Sequence, residues 1–221
     1  MTSASLEHNH AFAQYCEAIF ELEEDSVDVI QARIAERLDV SRPAVSEMVR
    51  RLDAEGLVRL GSHIELTDAG RHLAESVVRR HRLAERMLTD VLGLNWADAH
   101  TEASKWEHVI SPTVELAMNR LLDEPTTCPH GNPIPGSQYE APDTVMLSDL
   151  TSGEGFVVRR IPEELEFEPG MLTFLDMNSL RPGETGRVTA ASPDGTLTLS
   201  IAGQHVGLSA SVASKVMVTR E

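Results

Sequence analysis

A dense run of proline and glycine separates two kinds of apolar pattern in this 221-residue chain. The run is PTTCPHGNPIPGSQYEAPD, residues 125–143, and neither a helix nor a central strand can pass through it, because proline has a fixed φ and no amide N–H. Before it, apolar residues recur at helical spacing; beyond it, short runs such as GFVVRRI and LTLSIAG are separated by Gly, Pro and Asp turns. The pattern predicts a mainly α protein with a small C-terminal β-barrel.

The beginning of the chain has the pattern of a winged helix-turn-helix. Two short helices are predicted, over VIQARIAERL (29–38) and RPAVSEMVRRLDA (42–54), with Ser41 as the cap of the second helix and Pro43 in its first turn. The run LVRLGSHIELT alternates on both sides of a Gly-Ser pair, which predicts a hairpin wing. Further helical patterns continue up to the proline-rich run at residues 125–143, which we call the tether. We therefore predict three domains, a winged helix-turn-helix, a helical domain that includes the tether, and a barrel, over residues 1–74, 75–142 and 143–221.

The second helix of a helix-turn-helix enters the major groove with its first residues at the base edges. Small and polar side chains there can meet base donors, acceptors and methyl groups, while later arginines reach phosphate. The net charge of −16 repels DNA at long range, so binding must rest on a local patch; residues 41–59 hold four arginines against three carboxylates. We expect that binding to be salt-sensitive. The predicted DNA contacts are Ser41, Arg42, Pro43, Ala44, Ser46, Glu47, Arg50 and Arg51.

Two helical segments after the wing carry imidazoles and carboxylates. His100, Ser104, Glu107 and His108 follow one another at i, i+4, i+7 and i+8, so a helix over about 98–110 would place them on one face. Upstream, His81 and Glu85 stand four residues apart on a separate predicted helix. Imidazole and carboxylate suit divalent transition metals. The grouping therefore predicts a metal site between two helices.

Several other functions lack their sequence signatures. The chain has no HExxH pair, no Gly-rich phosphate loop and no GxSxG turn, so we expect no enzymatic activity. Cys16 and Cys128 are the only cysteines, which excludes a framework of several disulfides. No apolar run is long enough to span a bilayer, and the start shows no basic segment followed by an apolar one. A cytoplasmic protein without a membrane partner is expected.

The chain contains five motifs in order: ARIAERL (32–38), the helix-turn-helix (41–56), HRLAER (81–86), WEHV (106–109) and GNPIP (131–135). Together they resemble those of the diphtheria toxin repressor family of iron- and manganese-dependent regulators. The resemblance covers nearly the whole chain and implies a winged-helix DNA-binding domain, a helical metal-binding and dimerisation domain, and a barrel similar to Src-homology-3 folds. It implies a repressor that binds operator DNA as a homodimer when loaded with Fe(II) or Mn(II), for which Co(II), Ni(II) or Zn(II) can substitute, and that controls metal homeostasis genes.

The resemblance also assigns two metal sites per chain and an anion site. Iron-type relatives carry Met and Cys at the positions of Gln14 and Ser104, and manganese-type relatives carry carboxylates; Gln and Ser are weak neutral oxygen ligands, so this sequence does not identify the metal. His10, one turn before Gln14, is a further candidate ligand. The implied residues are His81, Glu85, His100, Glu163 and Glu166 at an ancillary site; Gln14, Ser104, Glu107 and His108 at a regulatory site; and Arg82, Cys128 and Asn132 around an anion.

The mechanism that follows is a metal-controlled change in DNA affinity. Apolar residues at helical spacing also predict a helix over residues 11–24, which carries Gln14. Metal would tie Gln14 to Ser104, Glu107 and His108, fixing the DNA-binding head of each subunit relative to the dimer core for a pseudo-palindromic operator. Two other functions stay open at this point. One is a metalloenzyme or metal-storage protein on the same scaffold; the other is a winged-helix regulator that responds to an organic ligand or to a thiol signal through Cys16 or Cys128.

Overall fold

A computed structural model describes residues 10–221 of the chain. These residues form two compact units, one from the chain up to His81 together with Lys105–Ser111, and one from Arg82–Ser104 together with Pro112–Glu221. The helices are α1 His10–Glu24, α2 Gln31–Arg37, α3 Arg42–Ala54, α4 Asp68–Arg86, α5 Trp96–Trp106, α6 Pro112–Leu121, α7 Glu163–Glu166, α8 Met171–Met177 and α9 Ala210–Ala213. The strands are β1 Val58–Leu60, β2 Ile64–Leu66, β3 Val145–Met146, β4 Gly155–Arg160, β5 Thr185–Ala191, β6 Leu197–Ile201, β7 Gln204–Leu208 and β8 Met217–Arg220.

The first unit is the winged helix-turn-helix that the sequence predicts. Helix α3 begins where expected, because the Ser41 side chain accepts a hydrogen bond from the Ala44 amide at 3.3 Å and proline occupies the first turn. Strands β1 and β2 pair antiparallel, with Val58 opposite Leu66. The apolar stripes of the helices meet in one core because they recur at helical spacing. That core includes Cys16, Ile19, Ile34, Val45, Val49, Leu52 and Leu57.

The helix predicted over about 98–110 ends earlier than expected. Helix α5 stops at Trp106, so His100 and Ser104 are helical whereas Glu107 and His108 lie in the turn that follows. The chain turns directly after α5, where the Val109 and Ile110 amides both donate to the Trp106 carbonyl, at 2.9 and 3.0 Å. The four residues therefore do not share one continuous helical face. The helix that carries His81 and Glu85 is α4, which ends at Arg86 and is followed by a π-helical turn, Met87–Val91.

The second unit is built on a six-stranded antiparallel sheet in the order β3-β8-β4-β5-β6-β7. Its inner face is apolar, as on β6, where the alternate residues Leu197, Leu199 and Ile201 point into the core. The proline-rich tether folds against this domain. The Ile161 amide donates to the His130 carbonyl at 2.8 Å, and a Cβ on Gly131 would stand 2.1 Å from the Arg159 carbonyl oxygen. The tether is thus an ordered part of the second unit.

Candidate metal centres

The first unit brings together two carboxylates and an imidazole in its interior. Glu17 on α1, His81 on α4 and Glu107 after α5 each offer one ligand atom, and these atoms lie within 4.8 Å of one another. All three side chains are buried, and the His81 Nδ1 atom stands 2.5 Å from Glu107 Oε2. Buried carboxylates need a cation or strong donors beside them. The donor set fits a divalent cation, and we name Glu17, His81 and Glu107 the helix-1 cluster.

Two further histidines border the helix-1 cluster. His108 Nε2 lies 3.3 Å from Glu107 Oε1, and the His108 ring meets the His10 ring edge to face with 4.6 Å between centroids. Burial lowers the pKa of His108 although the Glu107 charge opposes this; the His10, Arg80 and His81 charges act in the same direction as burial. A neutral imidazole is the form that binds metal. His108 is therefore prepared to act as a ligand at neutral pH.

The second unit holds a separate buried cluster that includes a thiol. Glu85 near the end of α4 and Cys128 and His130 in the tether offer ligand atoms within 4.8 Å of one another. The His130 amide donates to Cys128 Sγ at 3.3 Å, and the His130 ring lies 2.8 Å from Glu166 Oε2 through Nδ1. His100 completes the group, its Nδ1 atom standing 3.0 Å from Glu85 Oε1 and 3.2 Å from Glu166 Oε2. We name these five residues the tether cluster.

In the metal-free protein the tether cluster is held together by charge. Burial opposes a positive imidazole, but hydrogen bonds and charges from Glu166 and Glu85 outweigh it and raise the pKa of His100 to about 10. The same balance, burial against the Glu166 and Glu85 charges, leaves the pKa of His130 well above its ordinary value. Burial alone would raise the pKa of Glu166; the His130 charge and hydrogen bonds from both histidines instead lower it to about 2. Metal binding here must displace protons from the imidazoles.

Aromatic rings cover the two histidines of the tether cluster. The buried Trp96 ring lies edge to face on His130 with 4.6 Å between centroids, and the Phe167 ring lies the same way on His100 at 5.4 Å. Burial and the Glu85 charge raise the pKa of the Cys128 thiol, although its hydrogen bond with His130 opposes this. A thiol buried in this way is slow to react. The Cys128 thiol is therefore better suited to coordinating a metal than to reacting with thiols in solution.

The ancillary-site residues contact other candidate ligands. Glu85, His100 and Glu166 meet in the tether cluster, and the His81 ring lies against Glu107. The assignment of these residues to one metal site stays a prediction. Glu163 lies elsewhere, pairing with the buried Arg82 guanidinium at 2.9 Å.

The regulatory-site residues differ in environment. Glu107 and His108 contact each other. Gln14 is exposed on α1, and the exposed Ser104 donates through Oγ to the His100 carbonyl at 3.1 Å. Their role as ligands stays a prediction.

The three anion-binding candidates contact groups of the protein itself. Arg82 pairs with Glu163 and also donates to the Pro133 carbonyl. The Asn132 amide donates to Glu166 Oε1 at 2.7 Å and to the Ile161 carbonyl at 3.0 Å. Cys128 belongs to the tether cluster. An anion at this place remains a prediction, and carboxylates of the chain already supply negative charge to Arg82 and Asn132.

Sequence reasoning missed one residue in each cluster. Glu17 stands three residues after Gln14 and therefore on a neighbouring position of the same helix surface. His130 follows Cys128 at i+2 in CPHG, and the pairing of a thiol with an imidazole in a buried turn was a signal for a ligand pair.

The predicted DNA contacts line the outer side of α3. Val45, Val49 and Leu52 face the core, and the opposite side leaves the remaining side chains accessible. Arg50 donates to Ser46 Oγ at 2.8 Å, and the Arg51 guanidinium lies 5.3 Å from the centre of the Phe12 ring. Ser41, Arg42, Pro43, Ala44, Glu47, Arg50 and Arg51 are exposed, and Ser46 is half-buried.

Three family models match successive parts of the chain. Residues 10–62 match the family model described as the iron dependent repressor N-terminal DNA binding domain, and residues 67–136 match the iron dependent repressor metal binding and dimerisation domain. Residues 145–220 match the FeoA domain. Across the described part of the chain, none of the helices has the length and apolar character needed to cross a membrane.

Individual relatives agree with these matches. The chain is 42% identical over 221 residues to the iron-dependent repressor IdeR of Mycobacterium tuberculosis, covering 93% of this chain and 95% of that protein. It is 39% identical over 215 residues to the diphtheria toxin repressor of Corynebacterium diphtheriae, covering 92% and 94%. Among solved structures, a manganese-dependent transcriptional repressor in complex with manganese superposes with a TM-score of 0.84 at 32% identity, over 95% of this chain and all of that one. ScaR with bound Zn²⁺ gives a TM-score of 0.75 at 28% identity, over 95% and 99%.

Proposed function

The chain belongs to the iron-dependent repressor family, and from that membership we propose that it represses transcription by binding operator DNA when a divalent transition metal occupies the helix-1 cluster. Glu17, His81 and Glu107 are the proposed ligands, with His108 as a fourth and Gln14, Ser104 and His10 as candidates for the remaining positions. Oxygen and nitrogen donors without sulfur suit Fe(II) and Mn(II). The observation that carries the proposal is that Glu17 lies on α1, in the core of the DNA-binding unit.

The residues of the helix-1 cluster can couple ligand occupancy to the DNA-binding helices. Glu17 and Glu107 are both acidic and close together, so without a cation their charges oppose the approach of α1 to the Glu107 turn. A bound divalent cation supplies the positive charge that favours this approach. Because α1 packs on the same core as α2 and α3, its position bears on the recognition helix. Metal occupancy shifts the equilibrium between two positions of α1 only by the difference between their affinities for the metal.

We propose the tether cluster as a second site with a different preference. Glu85, Cys128 and His130 would be ligands, with His100 and Glu166 adjacent. A thiolate among nitrogen and oxygen donors favours softer ions such as Zn(II), Co(II) and Fe(II) over Mn(II). The tether connects here to the barrel, so occupancy would stabilise the fold of the second unit.

We also propose that the repressor is a homodimer. Apolar side chains stay exposed along α6 and the π-helical turn, and a second copy of the chain is the partner that the matched dimerisation domain implies. Exposed apolar surface of this kind is what an obligate interface covers. A regulator of transcription acts at the chromosome, so we propose a cytoplasmic protein with no enzymatic role. The residues concerned are Val91, Leu92, Val114, Leu116 and Leu121.

The structure disfavours a thiol signal. Cys16 is fully buried, and burial raises the pKa of its thiol to about 12. Cys128 is also fully buried with a raised pKa. Reactive regulatory cysteines are exposed thiolates. Neither cysteine has that character.

The test is DNA binding under metal control. A duplex selected from a random pool by the Mn(II)-loaded protein is titrated by fluorescence anisotropy with Mn(II), Fe(II), Co(II), Zn(II) or a chelator. We expect Glu17→Gln and Glu107→Gln to remove the metal stimulation, and Glu75→Gln, a carboxylate of α4 outside the helix-1 cluster, to retain it as the control. Wild-type binding that ignores chelator would overturn the proposed function. Full stimulation of Glu107→Gln would overturn the assignment of the ligands.

A further inference from the structure

A buried arginine joins the first two helices of the DNA-binding unit. The Arg37 guanidinium stands 3.1 Å from Glu21 Oε2 through Nη1 and 3.7 Å from Asp25 Oδ2 through Nη2. All three side chains are less than a tenth exposed, which is rare for charged residues. Removing these charges from water has a large desolvation penalty, and a buried ion pair is often no more stabilising than apolar packing. The arrangement therefore calls for a role other than bulk stability.

The positions of these charges suggest such a role. Glu21 lies one turn after Glu17 on α1, so neighbouring carboxylates on that helix serve different partners. Glu17 faces His81 and Glu107, while Glu21 holds Arg37. Arg37 is the last residue of α2, immediately before the turn that leads to the recognition helix α3. The contacts of Glu17 and the ion pair of Glu21 with Arg37 thus lie at the two ends of a short path from the helix-1 cluster to the start of α3.

We propose that Arg37 is a positioning residue that transmits metal occupancy of the helix-1 cluster to the recognition helix, a role that rests on the proposed function. A helix moves as a rigid body over one turn, so a displacement of Glu17 is also a displacement of Glu21. Apolar contacts between α1 and α2 are non-directional. A planar guanidinium that meets two carboxylates fixes both distance and orientation. Arg37 therefore ties the end of α2 to the turn of α1 that carries the metal ligand.

Two other ion pairs of these helices are more exposed to water. Glu23 of α1 pairs with Arg71, but both side chains are partly exposed, at 26% and 44%. Arg33 of α2 pairs with Glu36 within its own helix, and both are largely exposed. Pairs of this kind are screened by water and contribute little. Arg33 is accordingly the matched control, the same residue type on the same helix without a link to α1.

The experiment separates metal binding, folding and coupling. The wild type, Arg37→Gln, Arg37→Lys and Arg33→Gln are compared in three measurements: Mn(II) affinity by calorimetry without DNA, thermal unfolding, and affinity for the selected duplex with Mn(II) or chelator. The decisive readout is the ratio of the two duplex affinities. We expect a ratio within the range of about 5- to 150-fold typical of allosteric coupling for the wild type and for Arg33→Gln. Arg37→Gln should lower the ratio to below about threefold while Mn(II) affinity changes by less than about threefold, and Arg37→Lys should restore part of it because the charge remains.

Each outcome has a defined meaning. A folded Arg37→Gln protein with the wild-type ratio overturns the role of Arg37 and leaves the proposed function intact. If Arg37→Gln does not fold, Glu21→Gln removes one of the two ion pairs, and an unchanged ratio in that variant overturns the proposal equally. A wild-type protein without metal stimulation overturns the proposed function, and this inference with it.

Discussion

The charges of the tether cluster make the stability of the metal-free second unit depend on pH in a specific direction. The pKa of His100 is about 10 in the folded protein and about 6.5 in an unfolded chain. Between these values the folded state binds a proton that the unfolded state has lost, so stability falls as pH rises. The loss is about 1.4 kcal/mol per pH unit for each such proton, with an upper limit of about 5 kcal/mol across the window for His100. His130 acts in the same direction.

The substitution that tests this is Glu166→Gln. Glu166 contacts His130, His100 and Asn132 at 2.8, 3.2 and 2.7 Å. Removing one partner of a buried charge cluster destabilises by about 3–5 kcal/mol, because the remaining charges stay in a low-dielectric interior. We expect this loss of stability at pH 6, and a flatter dependence of stability on pH between 7 and 10. Glu164→Gln is the control, since Glu164 is half exposed and pairs with Lys215 at the surface.

The assay is urea unfolding with chelator present at a series of pH values. The fluorescence of Trp96, in a Trp106→Phe background, reports on the second unit because its ring lies on His130. At acid pH the contribution of Glu166 is present above about pH 4.5 and is lost as pH falls toward its folded pKa of about 2. Stability that stays flat or rises from pH 7 to 10, or a Glu166→Gln protein as stable as Glu164→Gln, would refute the reasoning.

Three further predictions concern the tether and the recognition helix. Cys128→Ser should lower the affinity for Zn(II) and Co(II) relative to Mn(II) and abolish the thiolate-to-Co(II) absorption in the near ultraviolet, since a hydroxyl is a harder and weaker ligand; an unchanged absorption would argue against thiolate ligation. Gly131→Ala should destabilise the protein by about 1–3 kcal/mol more than Gly153→Ala in chemical unfolding, because both glycines have positive φ but only the first faces a backbone carbonyl at close range. Ser41→Ala should reduce stability by about 1 kcal/mol through loss of the helix cap, measured by thermal unfolding.

Features that depend on neighbouring residues could be predicted from the sequence. The start of α3 follows from Ser41 and Pro43, whose effects act within one helical turn. The wing follows from alternation about a turn, and the proline-rich run marks the end of the helical region. The order of five motifs sufficed to place the chain in its family, which the comparisons confirm. These conclusions need no knowledge of long-range contacts.

Contacts between residues distant in sequence decide which candidate ligands come together. His81 and Glu107 are 26 residues apart, and they come together with Glu17 only because α1, α4 and the Glu107 turn pack around one core. The end of α5 at Trp106 moved Glu107 and His108 off the predicted helical face. In the second unit, the tether placed His130 beside Glu166. Local spacing alone did not contain these pairings.

The sequence by itself determined the start of α3, the wing, the division between the helical and β regions and the class of regulator, because helix periods, caps and turns are set by residues a few positions apart. Only the tertiary structure decided that Glu17 joins His81 and Glu107, and that His130 joins Glu85 and Cys128. The reason is that burial brings charged groups together only where each can be neutralised by another. That requirement is met by the packing of distant segments and leaves no mark on the local pattern of the chain.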